Sequence, residues 1–172
     1  MILGFYFGKQ PSIANQIEAI KSKFRRRVWT LRHLKKAQIP TKDLISLYKA
    51  LILPVLDYTS VTYHSMLGVT RTSEIEKLQK LALKIIFGVT GVSYESLLER
   101  ANIETVESRR QRLVDGFIKR AVVHPEFKEW FPSKRISGYN LREERIYMEK
   151  RTRTSRLYNS PLYYFRRRLN AI

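Results

Sequence analysis

Catalysis needs side chains that converge, and this sequence offers few that could. Its aspartates are Asp43, Asp57 and Asp115, far apart and never paired. Two-metal phosphoryl transfer needs carboxylates that close on ions ~4 Å apart, and no such set is visible. Glu95 and Glu99 share one helix face, a spacing that reads as solvated surface. His33, His64 and His124 have neither metal-ligand spacing nor a neighbouring nucleophile pattern and read as structural. There is no phosphate-binding glycine loop and no dinucleotide fingerprint. With no cysteine, disulfide frameworks, Cys-containing zinc sites, thiol catalysis and iron–sulfur clusters are excluded. No catalytic residue and no resident cofactor or metal is expected.

The positive signal is cationic. Lys21, Lys23, Arg25, Arg26, Arg27, Arg32, Lys35 and Lys36 crowd one stretch, interrupted by Trp29. Apolar residues at Ile13, Ile17, Ile20, Phe24, Val28, Leu31 and Leu34 recur at three- and four-residue intervals, the stripe of an amphipathic helix. At about 100° per residue, Trp29 falls opposite that stripe. Arg25, Arg32 and Lys36 lie on one of its flanks and Arg26 on the other. Lysine and arginine neutralise phosphates and release counterions, the source of most non-specific nucleic-acid affinity. Trp29 has two readings: it stacks on a base, or it packs on a second neighbour, as tryptophan usually does. A basic amphipathic helix also suits a membrane surface. A second basic cluster more than 100 residues away favours phosphate. There Arg151, Arg153, Arg156, Arg166, Arg167 and Arg168 are interleaved with Tyr147, Tyr158, Tyr163, Tyr164 and Phe165. Arginine forks pair bidentately with phosphate and stack on bases. The alternative is that the tyrosines dock this tail on the core and leave only the arginines free. The candidate nucleic-acid-binding residues are therefore Lys21, Arg25, Arg26, Trp29, Arg32, Lys36, Arg151, Arg153, Arg156, Arg166, Arg167 and Arg168.

These residues stand on a chain of 172 residues, 44% hydrophobic, with a net charge of +18. Enough apolar material is present for a core. The charge is uneven. Residues 1–36 hold nine Lys/Arg against one acid, 37–132 hold 13 against 11, and 133–172 hold 11 against three. A balanced middle is flanked by two ends whose self-repulsion a polyanion would relieve. No wholly apolar stretch approaches the ~20 residues that span a bilayer, and the opening residues lack a signal-peptide pattern. Neither a membrane nor secretion is expected; the expected location is nuclear or cytoplasmic.

The positioning elements read as helices. Ile2–Phe7 reads as a short strand. Ser12 reads as the cap of the basic helix and Pro40-Thr41 as the start of a second. Pro54 either kinks that helix or opens a new one. Residues 55–66 read as buried. Ser73 and Glu76 read as a capping box opening a helix through Ile75, Leu78, Leu81, Ala82, Ile85 and Ile86, closed by Gly88. Ser93 and Thr105 cap two further helices, the second carrying Val106, Leu113, Phe117 and Ile118 and ending at His124-Pro125. Phe127, Trp130 and Phe131 form an aromatic knot. Residues 133–139 read as a linker, and Ser160-Pro161 opens a last helix over 162–169. The expected fold is mainly α: a strand remnant at 1–9, a helical domain at 10–132 and a basic aromatic extension at 133–172.

Four stretches, in order, resemble the region after the palm in non-LTR retrotransposon reverse transcriptases. They run from Trp29 to Ala37, from Leu47 to Tyr58, from Leu78 to Gly88 with Ser93-Tyr94-Glu95, and from Arg153 to Tyr164. Ile2-Leu3-Gly4-Phe5 is similar to the strand where the palm hands over to the thumb. The resemblance implies a helical thumb-like domain from an RNA-directed DNA polymerase of a transposable element. In that family the thumb grips the primer–template, and the partners implied are RNA, DNA or an RNA–DNA hybrid, with the palm and fingers. The catalytic Asp-Asp pair of the palm precedes the matched region in the family, and this sequence holds no Asp-Asp. The Mg²⁺ that the full polymerase uses therefore has no site implied here. The expected function is backbone binding without catalysis. The alternative is a helical module that packs on a polymerase palm or another protein and binds no nucleic acid itself.

Overall fold

The computed structural model describes residues 13–133, 146–149 and 151–171. The described residues are mainly helical, as expected, and include no strand. The strand expected at 2–7, the Ser12 cap and most of the 133–139 linker lie outside them. Two compact units emerge: the described part of Met1–Ser60 with Leu67–Arg110, and Val61–Met66 with the described part of Gln111–Ile172. The chain passes between them at 60/61, 66/67 and 110/111.

The first unit is organised by α1 (Ile13–Lys36), which buries Gln16, Ile17, Ile20, Phe24, Val28 and Leu31. This is the stripe expected from the sequence, with Gln16 added. Gln16 is tolerated because its amide donates to the Thr59 hydroxyl at 2.9 Å. Burying Phe24, 1% exposed, contributes roughly 1.5–3 kcal/mol. The stripe packs on α5 (Val69–Phe87) and on the segment 41–57. That segment is α2 (Thr41–Leu47), a π-helical turn (Tyr48–Ile52) and α3 (Leu53–Asp57), and the short α4 (Ser60–Tyr63) follows it in the chain. Of the two roles read for Pro54, opening a new helix is the one seen. It sits in the first turn of α3, where its missing N–H costs nothing, and the backbone before it widens, the Leu53 N–H reaching back to Tyr48 O. Residues 55–66 are less uniformly buried than expected: Val55, Leu56 and Tyr63 are buried, but Tyr58 is 48% exposed. The helical run Thr41–Met66 has a mean hydropathy of 1.4 over its most apolar window and passes the length and composition test for a membrane span. Periodicity counted in wholly apolar stretches had missed it. Leu44, Tyr48, Ile52 and Leu56 on this run are at most 2% exposed in the protein core.

The capping box expected at Ser73/Glu76 does not form. Helix α5 starts five residues earlier, with Gly68 rather than Ser73 at its cap position, and buries Ile75, Gln79, Ala82, Leu83 and Ile86 while Leu81 turns outward. Glu76 is used elsewhere. Its carboxylate accepts from the backbone N–H of Glu107 at 2.7 Å and of Val106 at 3.3 Å, at the start of α7 (Val106–Val123). A negative group there satisfies orphan donors and meets the positive end of the helix dipole. Tyr94 also donates to Glu76 and lies 2.7 Å from Gln79 Oε1, while Gln79 Nε2 donates to Glu104 O at 3.1 Å. Burial, then the Glu76 contact, pushes the Tyr94 phenol upward and keeps its proton in place. The local signals held. Gly88 takes φ 66 and closes α5 through Lys84 O. Ser93 caps α6 (Tyr94–Ala101) at 3.2 Å. Thr105 caps α7 at 3.1 Å.

Helix α7 holds an unexpected residue. Its buried stripe is Val106, Arg110, Val114, Ile118 and Ala121; of the four residues read from the sequence, Val106 and Ile118 belong to it, while Leu113 and Phe117 are only half-buried. Arg110 is 0% exposed, and its Nε, Nη1 and Nη2 have no hydrogen-bond partner among the described residues. A buried unpaired charge costs several kcal/mol. We expect Arg110→Met, which keeps the length and removes the charge, to raise unfolding stability by about 1–3 kcal/mol in urea titrations. Arg110→Ala, which leaves a void, should not. A loss of stability in the Met variant would show that the guanidinium is paired.

The second unit is built around Val114, Ile118, Ala121, Phe131 and Phe165. Phe127 lies between Phe117 and Trp130, with ring centroids at 6.3 and 4.8 Å. Of the aromatic knot, Phe131 is buried and Trp130 is 41% exposed. Ser133 and Tyr147 form an isolated antiparallel bridge. Thr154 caps α8 (Ser155–Tyr158), and Pro161 opens α9 (Pro161–Ala171), which supplies Phe165.

Candidate nucleic-acid interface

Trp29 is 61% exposed on α1. Of the two readings open for it, packing on a second neighbour does not occur among the described residues. Its partner is His33, one turn on: ring centroids are 3.8 Å apart with planes tilted by 39°, and His33 Nδ1 lies 2.9 Å from Trp29 O. A proton on Nδ1 donates to that carbonyl and pins the imidazole against one side of the indole.

Around this pair, Arg25, Arg26, Arg32 and Lys36 are all exposed, and none has a carboxylate within 4.0 Å among the described residues. The helix carries them by its phase: each sits within about 60° of Trp29 at 100° per residue, because positions three, four and seven apart share a face. From Arg25 to Lys36 the face runs roughly 16 Å at 1.5 Å per residue. The result is an exposed cationic strip with an aromatic centre, Glu18 being the carboxylate that feels the Arg25 charge.

Lys21 does not belong to it. Its ammonium is clamped by Glu18 at 2.8 Å and Glu74 at 2.9 Å, which raise its pKa. Lys23 and Arg27, counted in the basic stretch but not among the candidates, face α3. Lys23 lies 5.4 Å from the Tyr58 ring and Arg27 donates to Leu51 O. With Tyr58 they line a cleft of about 280 Å³. This cleft is not legible in advance, because Tyr58 lies in a stretch that reads as buried. A larger cleft of about 550 Å³ pairs Lys49 and Arg109 with Glu99 and Glu104; its charges balance, so it has no preference for an anion.

In the second unit the C-terminal candidates split. Arg151, Arg153 and Arg156 are exposed. Arg167 lies 3.5 Å over the Tyr158 ring, a cation–π contact, and Tyr158 is 49% exposed. Arg166 is 7% exposed and donates from Nε to Trp130 O at 2.7 Å. Arg168 forks onto Asp115 through Nε at 2.9 Å and Nη2 at 3.0 Å. These two arginines therefore hold α9 in place and are not free, although both the phosphate-binding reading and its tyrosine-docking alternative had them so. Tyrosine does dock too: Tyr164 donates to Gln111 at 2.6 Å. Arg166 and Arg168 looked like Arg151 in the sequence because their partners are 36 and 53 residues away.

The Asp115–Arg168 pair has a pH signature. Arg168's hydrogen bonds, helped by Gln111, hold the Asp115 carboxyl below its ordinary value of 3.8. A depressed folded-state pKa adds stability above the unfolded pKa and loses it as the pH falls through the folded one. At neutral pH, Asp115→Asn is expected to cost about 1 kcal/mol, since Arg168 is partly exposed. The gap between variant and parent should close in acid, well below pH 3.8. Urea titrations across that range check it, and a gap constant with pH would contradict the pairing.

No protein-family model, curated protein or solved structure matches the chain.

Proposed function

We propose that this chain is a non-catalytic nucleic-acid-binding region of the kind that follows the palm in non-LTR retrotransposon reverse transcriptases, gripping the sugar–phosphate backbone of RNA, DNA or their hybrid. The carrying observation is the exposed strip of Arg25, Arg26, Arg32 and Lys36, unpaired with carboxylate among the described residues, around an exposed Trp29. The exposed Arg151, Arg153 and Arg156 form a second cationic group. Two of the three aspartates are engaged in ion pairs, Asp57 with Arg109 at 2.6 Å and Asp115 with Arg168 at 2.9 Å, which is structural work. Polymerisation would belong to palm aspartates, and the partners proposed are nucleic acid and the palm and fingers of such an enzyme. The test is a mobility shift across salt: affinity should fall steeply from 50 to 200 mM. Binding that ignores salt, or none at 50 mM, would defeat the proposal and favour a helical module that packs on another protein.

A further inference from the structure

Four free cations explain attraction to any phosphate chain, but they do not explain the indole among them. An exposed tryptophan forfeits the burial that usually retains it, and this one is held in a fixed pose by its own helix. The His33 imidazole covers one side at 3.8 Å, and the Trp29 carbonyl 2.9 Å from Nδ1 keeps that ring from swinging away. No other ring contacts the indole among the described residues, and 61% of the residue is open. Stacking on a prearranged surface loses little side-chain entropy on binding. The cations lie on both flanks, Arg25, Arg32 and Lys36 on one and Arg26 on the other. Phosphates can therefore be held while a base turns inward between them.

Building on the function proposed above, we infer that Trp29, backed by His33, is a stacking platform for one unpaired nucleobase, so that this face of α1 takes single-stranded nucleic acid in preference to duplex. In a duplex both faces of each base are already stacked, and only the backbone is left for a convex helix to touch. In a single strand every base has a face to offer. The strip of roughly 16 Å matches about four or five nucleotides at ~3.4 Å each. A base seated on Trp29 at its middle leaves phosphates on either side within reach of the flanking arginines.

The experiment uses the full chain with a twelve-nucleotide oligo(dT), an oligo(U) of equal length and a blunt DNA duplex of that length. Trp29 emission is isolated as the difference between the parent and Trp29→Phe. Both single strands should quench that emission and the duplex should not. Trp29→Ala should weaken single-strand affinity about tenfold, the effect of one lost stack, and weaken duplex affinity by much less. Trp29→Phe should recover most of the loss. Circular dichroism of each variant should match the parent, since the side chain is exposed. Equal quenching by duplex, or an alanine variant that binds single strands like the parent, overturns the platform. If both variants still bind every probe with steep salt dependence, the backbone-binding function survives that failure. If no probe binds at 50 mM salt, both fall. A blue shift of Trp29 on phosphatidylserine vesicles, without quenching by oligonucleotide, also overturns it and marks a membrane-facing helix.

Discussion

Reversing Arg25, Arg26 and Arg32 to glutamate should weaken oligonucleotide binding about 100-fold at 100 mM salt and flatten its salt dependence. For a single strand each phosphate contact contributes about 0.7 to the slope of log K against log salt, so three lost contacts remove about 2. Reversal goes further than neutralisation, because three new carboxylates repel the strand. The flattened slope is the sharper readout. A general loss of folding would abolish binding without leaving a shallower line, whereas lost phosphate contacts leave a weaker but measurable one. The fold should survive: all three side chains are exposed and unpaired with carboxylate among the described residues, and surface changes of this kind usually move stability by no more than about 0.5 kcal/mol each. Lys21 makes the internal control. Already held by Glu18 and Glu74, its conversion to glutamine should leave the slope nearly unchanged. A triple variant with the parental slope would remove the strip from the interface.

The largest expected effect on stability lies at Glu76. Its carboxylate joins three elements: it is on α5, accepts from Tyr94 of α6, and receives the Val106 and Glu107 N–H groups that open α7. Bonds to a charged acceptor contribute roughly 1.5–3 kcal/mol each, and they do not add because they share one group. Glu76→Ala should therefore cost about 3 kcal/mol, a fall of roughly 6–12 °C in Tm for a chain of this size. It strands two helix-terminal donors, while the Tyr94 hydroxyl is left with Gln79 Oε1 alone. Glu76→Gln keeps one acceptor oxygen and should lose about half as much. Glu74→Ala is the comparison. Its partner Lys21 is shared with Glu18 and the pair is at the surface, so it should cost less than about 1 kcal/mol. Thermal melts of the three variants separate the cases. If Glu76→Ala melts no lower than Glu74→Ala, the carboxylate is not the joint it looks to be.

The division between what could be read in advance and what could not follows sequence distance. Ser93, Thr105 and Gly88 do their work within four residues, and the composition around them announces it. The inward stripe of α1 was legible for the same reason, since 3.6-residue periodicity is local. Glu76 was misread because Ser73 sits three residues before it, although its real partners are 30 and 31 residues downstream. Arg110 was invisible: an arginine within a helical stripe reads as a gap in the apolar face, and only packing shows that it is inside. The candidate interface divides the same way. Arg25, Arg26, Arg32 and Lys36 stay exposed because their own helix turns them away from its apolar side. Arg166 and Arg168 are consumed by Trp130 and Asp115, a fate that residue type and neighbours do not encode. Whether Trp29 packed or stood free depended on the absence of a second helix over it, a property of assembly rather than of pattern.

The wide π turn at Tyr48–Ile52 has a consequence for how this stretch can change over descent. Leu44, Tyr48, Ile52 and Leu56 all point inward at strict four-residue steps, whereas a plain α-helix advances four residues by about 40° more than a full circle and would slowly swing such a column around its axis. The extra slack takes back that drift. Losing a single codon here would swing α3 about 100°, carrying Leu56 out of its seat and bringing a neighbour in. Point substitutions should thus accumulate in this segment far more readily than changes of its length.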